Sequence, residues 1–411
     1  MTEPNIFTQY LEKRNSLVKN KKILQSSYVP DNLPHRDDKI NEIVEIIAPS
    51  LERNKPSNIL IIGKTGTGKT AVMNYIGKEL KKADPSEESC TFIYINCEIV
   101  DTPYGILYNI ANQIISDPSR KIPFTGWSVD KILSELTTYI DEKNKIFIIV
   151  LDEIDRSFQK NGDDIFYYLT SINDQLKNST VSIIGITNNT KFTDFLSTRI
   201  KSRLGEEKII FPPYSVEQLQ DILYERAKEA FDEGILTESV IPYCAALTAQ
   251  DGGDARRALD LLRMSADIAE RNGDKTISEA HVKSAKNKVE MDAVAEIVRT
   301  LNMQSKMVLM SIIKNTEEGQ TTMITGDVYS TYKVLCEITG TTVITQRRVA
   351  DLISELDMLG IIHARVKAFG RAGRTKEIEL SAPKNIADLL KSDDLFKELE
   401  NYKPPKQMTL M

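Results

Sequence analysis

SNILIIGKTGTGKTAVMNYIGKELKK, residues 57–82, decides how the chain is read. Asn58–Ile62 is an apolar strand pattern, and from Thr70 onward the apolar residues recur at helical spacing. Between them Gly63, Lys64, Thr65, Gly66, Thr67, Gly68, Lys69 and Thr70 fit G-x-x-x-x-G-K-[ST] in full. Strand, glycine-rich turn and helix in that order make a phosphate cradle. The glycines let backbone N–H groups curl around phosphate oxygens, and the helix N-terminus adds a favourable dipole. Lys69 would neutralise the β- and γ-phosphates of a nucleotide, and Thr70 would hold Mg²⁺.

Outward from that stretch, short apolar strands alternate with helical patterns up to Phe211. The strands are TFIYINC (91–97), KIFIIVLDE (145–153), VSIIGIT (181–187) and EKIIF (207–211). TPYGILYNIANQIIS (102–116) and DDIFYYLTSINDQL (163–176) read as helices. Strands apolar on both faces and separated by helices predict a parallel sheet covered on both sides. Pro212 and Pro213 end the sheet region, because proline cannot continue a ladder.

Acidic and polar residues stand where such strands stop. Asp152 can reach Mg²⁺ directly or through water, and Glu153 can polarise an attacking water; Asp155 is expected to cap the next helix. The strand VSIIGIT ends in Asn188-Asn189, and a neutral polar group there can orient water beside a γ-phosphate. Arg199 and Arg203 share one helical face. That pattern fits an arginine supplied across a subunit interface and equally a solvated basic helix. Arg256 sits in the first turn of a helix opened by Asp254. A cation is misplaced at a helix N-terminus unless it faces an anion, which favours a phosphate-facing role.

From Ser215 to Glu290 the pattern is purely helical, with segments beginning near Ser215, Glu238, Asp254 and Ser278. Helical patterns over 304–314, 328–338 and 345–359 follow. Then come IIHARVKAF (361–369), a tip GRAGR (370–374) and TKEIEL (375–380). Three helices and a hairpin with a basic tip are the layout of a winged helix. The helix over 345–359 buries Val349, Leu352, Ile353, Leu356 and Leu359 and presents Gln346, Arg347, Ala350 and Ser354 on its other face. Small and polar residues there suit approach to base edges. Arg371 and Arg374 at the tip can enter a minor groove or grip phosphates. The expected divisions are 1–27 as an N-terminal arm, 28–213 as the α/β nucleotide-binding domain, 214–290 as a helical lid, and 291–411 as the DNA-binding domain with a frayed tail, NYKPPKQMTLM.

Charge supports that division of labour. The 411 residues carry 53 basic and 59 acidic side chains, a net of −6. Between Thr345 and Lys376, seven basic residues face three acidic ones, leaving that segment at +4 and the remainder at −10. A basic island on an acidic body suggests a dedicated nucleic-acid contact. Hydrophobic residues at 41% and charged residues at 27% exclude global disorder. The longest apolar run, IFIIVL at 146–151, is far below the roughly 20 residues of a membrane span. Four dispersed cysteines and three histidines offer no metal-ligand spacing. Together with an N-terminus unlike a signal peptide, they give the expectation of a cytoplasmic, nucleoid-associated protein.

GKTGTGKT, LDEID, ITNN, RIKSRL and GDARRAL, in this order and followed by a winged helix, resemble the AAA+ ATPases of the initiator clade. The chain is most similar to archaeal replication initiators, relatives of the eukaryotic origin recognition complex and its cell-division-control helicase loader. The resemblance runs from about Tyr28 to Leu380. It implies that Gly63–Thr70 are Walker A, Asp152 and Glu153 Walker B, Asn188 sensor 1, Arg256 sensor 2, and Arg203 the arginine finger. It also implies that Tyr28, Val29, Arg36 and Tyr214 belong to the nucleotide site, Arg36 from the segment that encloses the adenine. SRKIPFTGWS (119–128) resembles the initiator-specific insertion, an extra helical element that touches origin DNA, with Lys121, Thr125 and Gly126 as its contacts. The implied function is an ATP-controlled initiator, a slow Mg²⁺-dependent ATPase with ATP/ADP as cofactor. Its implied partners are double-stranded origin DNA, the replicative helicase and paralogous initiator subunits, with no membrane role. The alternative is a nucleotide-switched transcription regulator with a terminal winged helix. A clamp loader is disfavoured by the winged helix, and a small-molecule kinase by the second reader domain and the lack of a substrate lid of its own.

Overall fold

The computed structural model describes residues 16–25, 28–368, 374–381, 386–391, 394–399 and 402–404. The remainder of the N-terminal arm and of the tail, and Arg371 in the tip, lie outside the described residues. The chain divides into two compact units, Met1–Val282 and Lys283–Met411. No helix among the described residues is long and apolar enough to cross a membrane.

The first unit is built on a parallel sheet of β1 (Ile59–Gly63), β2 (Cys90–Asn96), β3 (Ile146–Asp152), β4 (Thr180–Thr187) and β5 (Glu207–Phe211), in the order β2-β3-β4-β1-β5. All four pairings are parallel. β1 and β3 are buried along their whole length, which is why they read as unbroken apolar runs rather than alternations. Successive side chains feed two cores. Ile59, Ile61, Ile148 and Val150 pack with the helix Lys69–Ala83 on one face. Leu60, Ile93, Ile95, Ile149 and Leu151 pack with the helices Pro103–Ile114 and Val129–Glu142 on the other. The reading of 163–176 as one helix is corrected to Asp164–Ser171 followed by a 3₁₀ turn, Ile172–Asp174.

The helices Val216–Ala230, Val240–Gln250 and Ala255–Asn272 form the lid part of this unit, and Glu279–Thr300 follows. Ser215 and Gln218 make a reciprocal capping box, and Asp254 caps Ala255–Asn272 by accepting from the Arg256 and Arg257 amides. Residues 16–25 are packed onto the lid. Leu17, Val18, Ile23 and Leu24 are buried, Val18 bridges Phe231, and the Leu17 amide donates to Glu270 at 3.0 Å.

The second unit carries the helices Met303–Glu317, Thr325–Thr339 and Gln346–Met358 and a three-stranded antiparallel sheet of β6 (Met323–Ile324), β7 (Ile362–Ala368) and β8 (Arg374–Leu380), ordered β6-β8-β7. Val349, Leu352, Ile353 and Leu356 are buried as the spacing predicts, but Leu359 is not: it is the C-cap and 43% exposed. The helix stops at Met358, so Leu359 leaves the buried stripe. β6, only two residues long, has no sequence pattern of its own.

Candidate functional site

The turn after β1 places its backbone under the lid. Gly66 has φ +70°, and a Cβ there would lie 1.7 Å from the Asp254 carboxylate; Gly68 has φ +90°, and a Cβ there would lie 2.7 Å from the Tyr214 hydroxyl. Both positions therefore require glycine for conformation and for space. The Ala255 amide donates to the Gly66 carbonyl at 3.1 Å. The first turn of the lid helix is thus bonded to the phosphate loop.

Lys69 begins the helix Lys69–Ala83 and is buried. Its Nζ donates to the Gly63 carbonyl (2.7 Å), the Lys64 carbonyl (2.8 Å) and Asn188 Oδ1 (2.6 Å). Burial lowers its pKa to about 8; the carboxylates of Asp152 and Glu153 oppose that shift, and the Arg256 cation adds to it. Asn188 turns its amide nitrogen to Glu153, donating to Oε1 at 2.6 Å and Oε2 at 2.5 Å. One side chain therefore links the loop lysine to the strand-end glutamate. Glu153 itself stands at φ +56°, a left-handed conformation that non-glycine residues seldom adopt. Burial raises its carboxyl above the ordinary range; the Asn188 hydrogen bonds oppose this and the Asp152 charge adds to it. Asp155 does not cap the helix Ile154–Asn161: Glu153 is the N-cap residue, and Asp155 accepts from Thr187 Oγ1 at 2.8 Å.

Asp152 is buried at the end of β3. Its Oδ2 accepts from Thr70 Oγ1 at 2.7 Å and from the Tyr94 hydroxyl at 2.5 Å, and its Oδ1 accepts from the Glu153 amide at 2.9 Å. One hydroxyl and one carboxylate suit a Mg²⁺ that takes its other ligands from phosphates and water. Among the described residues no cluster of three or more His, Cys, Asp or Glu is arranged to hold a metal alone. Burial, and after it the Asp152 carboxylate, push the Tyr94 phenol far above its ordinary pKa, so it stays a donor.

A cavity of about 480 Å³ opens beside the loop. Tyr28, Val29, Thr65, Gly66, Gly68, Lys69, Thr70, Glu153, Asn188, Tyr214 and Arg256 line it. Gly63, Lys64, Thr67 and Arg36 are not among the lining residues. Arg36 is buried behind the loop instead. Its Nε donates to the Thr67 carbonyl, Nη1 to the His35 carbonyl and Nη2 to the Pro212 carbonyl, each at 2.9 Å, and its guanidinium lies 3.7 Å from the centre of the Tyr214 ring. The cavity also has Arg226 in its wall, a residue the sequence reading missed. Arg226 is buried, its Nη2 donates to the Tyr28 carbonyl at 3.4 Å, and its Nη1 has no acceptor among the described residues. A buried guanidinium nitrogen left free in a cavity wall fits an anionic or carbonyl-like ligand atom. The signal available beforehand was an arginine in the apolar stripe Leu219, Leu223, Ala227 of an amphipathic helix.

Arg203 lies outside the cavity, with Nη1 donating to the Thr170 carbonyl at 3.0 Å and Nη2 3.2 Å from Asp174. In the insertion, Lys121, Thr125 and Gly126 are all exposed. The loop is fastened by Ile122, which is buried and shares two hydrogen bonds with Asn112, and by Lys131 over the Trp127 ring at 4.0 Å. Ser119–Ser128 is largely loop, with a 3₁₀ turn only at Pro118–Arg120.

In the second unit Thr345 caps the helix Gln346–Met358, and Gln346 and Arg347 are exposed in its first turn. Ala350 and Ser354 are covered in part: Lys376 on β8 donates to the Ala350 carbonyl at 3.1 Å and to Ser354 Oγ. Arg348 pairs with Glu355 at 3.5 Å, and Lys367 with Glu377 at 2.6 Å. Part of the basic island is thus neutralised within the unit. Arg374 starts β8, and Arg371 lies outside the described residues.

Comparison with known proteins agrees with this architecture. Family models for an AAA domain, the Cdc6 AAA+ ATPase-type lid domain and the CDC6 C-terminal winged helix domain match residues 52–232, 220–287 and 296–388. The ORC1-type DNA replication protein 1 of Methanosarcina mazei is 48% identical over 402 residues, covering 97% of this chain and 96% of its own. The ORC1-type DNA replication protein of Thermococcus onnurineus is 46% identical over 409 residues, covering 99% and 98%. The structure of the Aeropyrum pernix ORC1 protein in complex with DNA superposes with a TM-score of 0.74 at 42% identity, covering 94% of this chain and 99% of that one. With a loop-and-lid nucleotide site in one unit and a winged helix in the other, the chain belongs to the ORC1-type DNA replication proteins, members of the AAA+ ATPase family.

Proposed function

We propose that this protein is an ATP-regulated initiator that binds origin duplex DNA and helps recruit or load the replicative helicase, in the cytoplasm at the nucleoid. The observation that carries the reading is the bond from the Ala255 amide to the Gly66 carbonyl, with Asp254 packed on Gly66. A phosphate loop tied to its lid couples nucleotide state to lid position.

On this reading the loop from Gly63 to Thr70 and Lys69 bind the phosphates, while Thr70 and Asp152 hold Mg²⁺. Glu153 orients and deprotonates the attacking water, with Asn188 beside it, and Arg256 reaches the γ-phosphate from the lid. Tyr28, Val29, Tyr214 and the orphan Nη1 of Arg226 enclose the base and sugar. Arg36 supports the loop from behind. Arg203 acts as a finger toward a neighbouring protomer only by exchanging Asp174 for that neighbour's phosphates. Lys121, Thr125 and Gly126 in one unit and Gln346, Arg347, Arg371 and Arg374 in the other contact DNA. That the similar Aeropyrum protein forms a complex with DNA supports DNA binding as such.

Footprinting on chromosomal origin DNA with ATP, with ADP and without nucleotide tests the reading. Protection at origins that differs between ATP and ADP is expected. Protection confined to promoters would favour the transcription-regulator alternative.

A further inference from the structure

We infer that Tyr94 is a positioning residue for the metal end of the nucleotide site, holding the Asp152 carboxylate in the orientation that serves Thr70 and Mg²⁺. The inference rests on the reading of Asp152 and Thr70 as the Mg²⁺ end and extends it to a residue that carries no phosphate or metal itself.

The sheet register dictates the contact. On β2, Phe92, Tyr94 and Asn96 share the face that on β3 holds Ile148, Val150 and Asp152. Asn96 pairs directly with Asp152 and Tyr94 with Val150. Asn96 is turned to the loop after β2, where its Oδ1 accepts from the Glu98 amide at 2.8 Å. The diagonal neighbour serves the carboxylate, since an aromatic side chain is long enough to reach one pair along the ladder. The Tyr94 hydroxyl arrives 2.5 Å from Asp152 Oδ2, the same oxygen that accepts from Thr70.

Three donors then fix the carboxylate: Tyr94 and Thr70 on Oδ2 and the Glu153 amide on Oδ1. A hydroxyl oxygen has two lone pairs, so Thr70 can keep its proton on Asp152 while offering a lone pair to a cation. Without Tyr94 the Thr70 contact alone would hold Oδ2, and the carboxylate would be free to turn about its side-chain bond. Outer partners of this kind typically tune metal affinity by about 10–100-fold.

The test uses the full chain with saturating ADP and Mn²⁺ as the paramagnetic stand-in for Mg²⁺, its bound fraction read by electron paramagnetic resonance. Tyr94→Phe keeps the ring and its packing and removes only the hydroxyl. The expected result is Mn²⁺ affinity weaker by about tenfold, with ADP affinity in EDTA unchanged. Phe92→Leu, on the same face and without contact to Asp152, should leave Mn²⁺ affinity at the wild-type value. Equal Mn²⁺ affinity in Tyr94→Phe and wild type overturns the inference. So does a parallel loss of metal-free ADP binding, which would make Tyr94 a residue of the fold. A wild-type protein that binds ADP without any Mn²⁺ response would instead remove the Mg²⁺ reading of Asp152 and Thr70.

Discussion

Lys69 concentrates the chemistry of the nucleotide site at a single residue. Its pKa is near 8 because burial disfavours the charge. Below pH 8 it is charged in both folded and unfolded chains, and the desolvation cost is felt in full. As pH rises from 8 toward the unfolded value, the folded protein releases this proton first, so stability rises across that window. A polyphosphate has the opposite effect and raises the pKa. Binding ADP above pH 8 must therefore take up a proton, and affinity should fall with pH by up to about tenfold per unit. Calorimetry at pH 9 in two buffers of different protonation heat should report uptake approaching one proton. No uptake would refute the shift. Glu153→Gln should retain ATP binding and lose turnover by at least about 100-fold, measured as single-turnover hydrolysis. The meeting of loop, Asp152, Glu153 and Asn188 was legible in sequence because each sits at a strand end. Tyr94 and Arg226 were not legible, since what identifies them is a diagonal register and an orphaned nitrogen, both properties of the folded sheet and cavity.

At the scale of elements, Arg36 ties three together. Its guanidinium joins the phosphate loop at Thr67, the entry to the helix Asp37–Ile47 at His35 and the end of β5 at Pro212, while stacking on Tyr214 at the entrance to the lid. The family resemblance implies a place for Arg36 in the segment that encloses the adenine, whereas the structure sets it behind the loop and outside the cavity lining. Arg36→Ala strands three carbonyls and should destabilise the first unit by about 3 kcal/mol, with weaker ADP binding. Arg36→Lys should recover only part of this, because an ammonium cannot reproduce a planar fork. Thermal melting with and without ADP measures both effects, and a wild-type melt for Arg36→Ala would dismiss the clamp. The strands of the first sheet were readable because β1, β3 and β4 are buried along nearly their whole length and are mostly apolar. β6 and the packing of Leu17 and Leu24 on the lid were not, since two-residue strands and short docked segments have no period to read.

The whole molecule separates charge by function, and its DNA-binding behaviour should carry that signature. The chain is acidic overall yet carries +4 between Thr345 and Lys376, with Arg348 and Lys367 already paired inside their unit. Affinity for duplex DNA should therefore rest on few cations, and each should be visible in the salt dependence. Losing Arg371 and Arg374 together should lower affinity and reduce the slope of log K against log salt by up to about two units, one per phosphate contact. Lys121→Ala should cost up to about one unit, because the insertion is an exposed loop anchored from below by Ile122 and Trp127 and keeps its shape without the lysine. Gln346→Ala should behave differently: if the first turn of the helix Gln346–Met358 reads base edges, sequence preference relaxes by about 1–3 kcal/mol at one position while the salt slope stays put. The measurement is binding of an origin duplex and a scrambled duplex over a salt series for wild type and the three variants. Identical slopes for all four proteins would return the winged helix and the insertion to protein-binding roles. A slope change confined to Arg371→Ala/Arg374→Ala would leave one DNA contact and free the insertion for another partner.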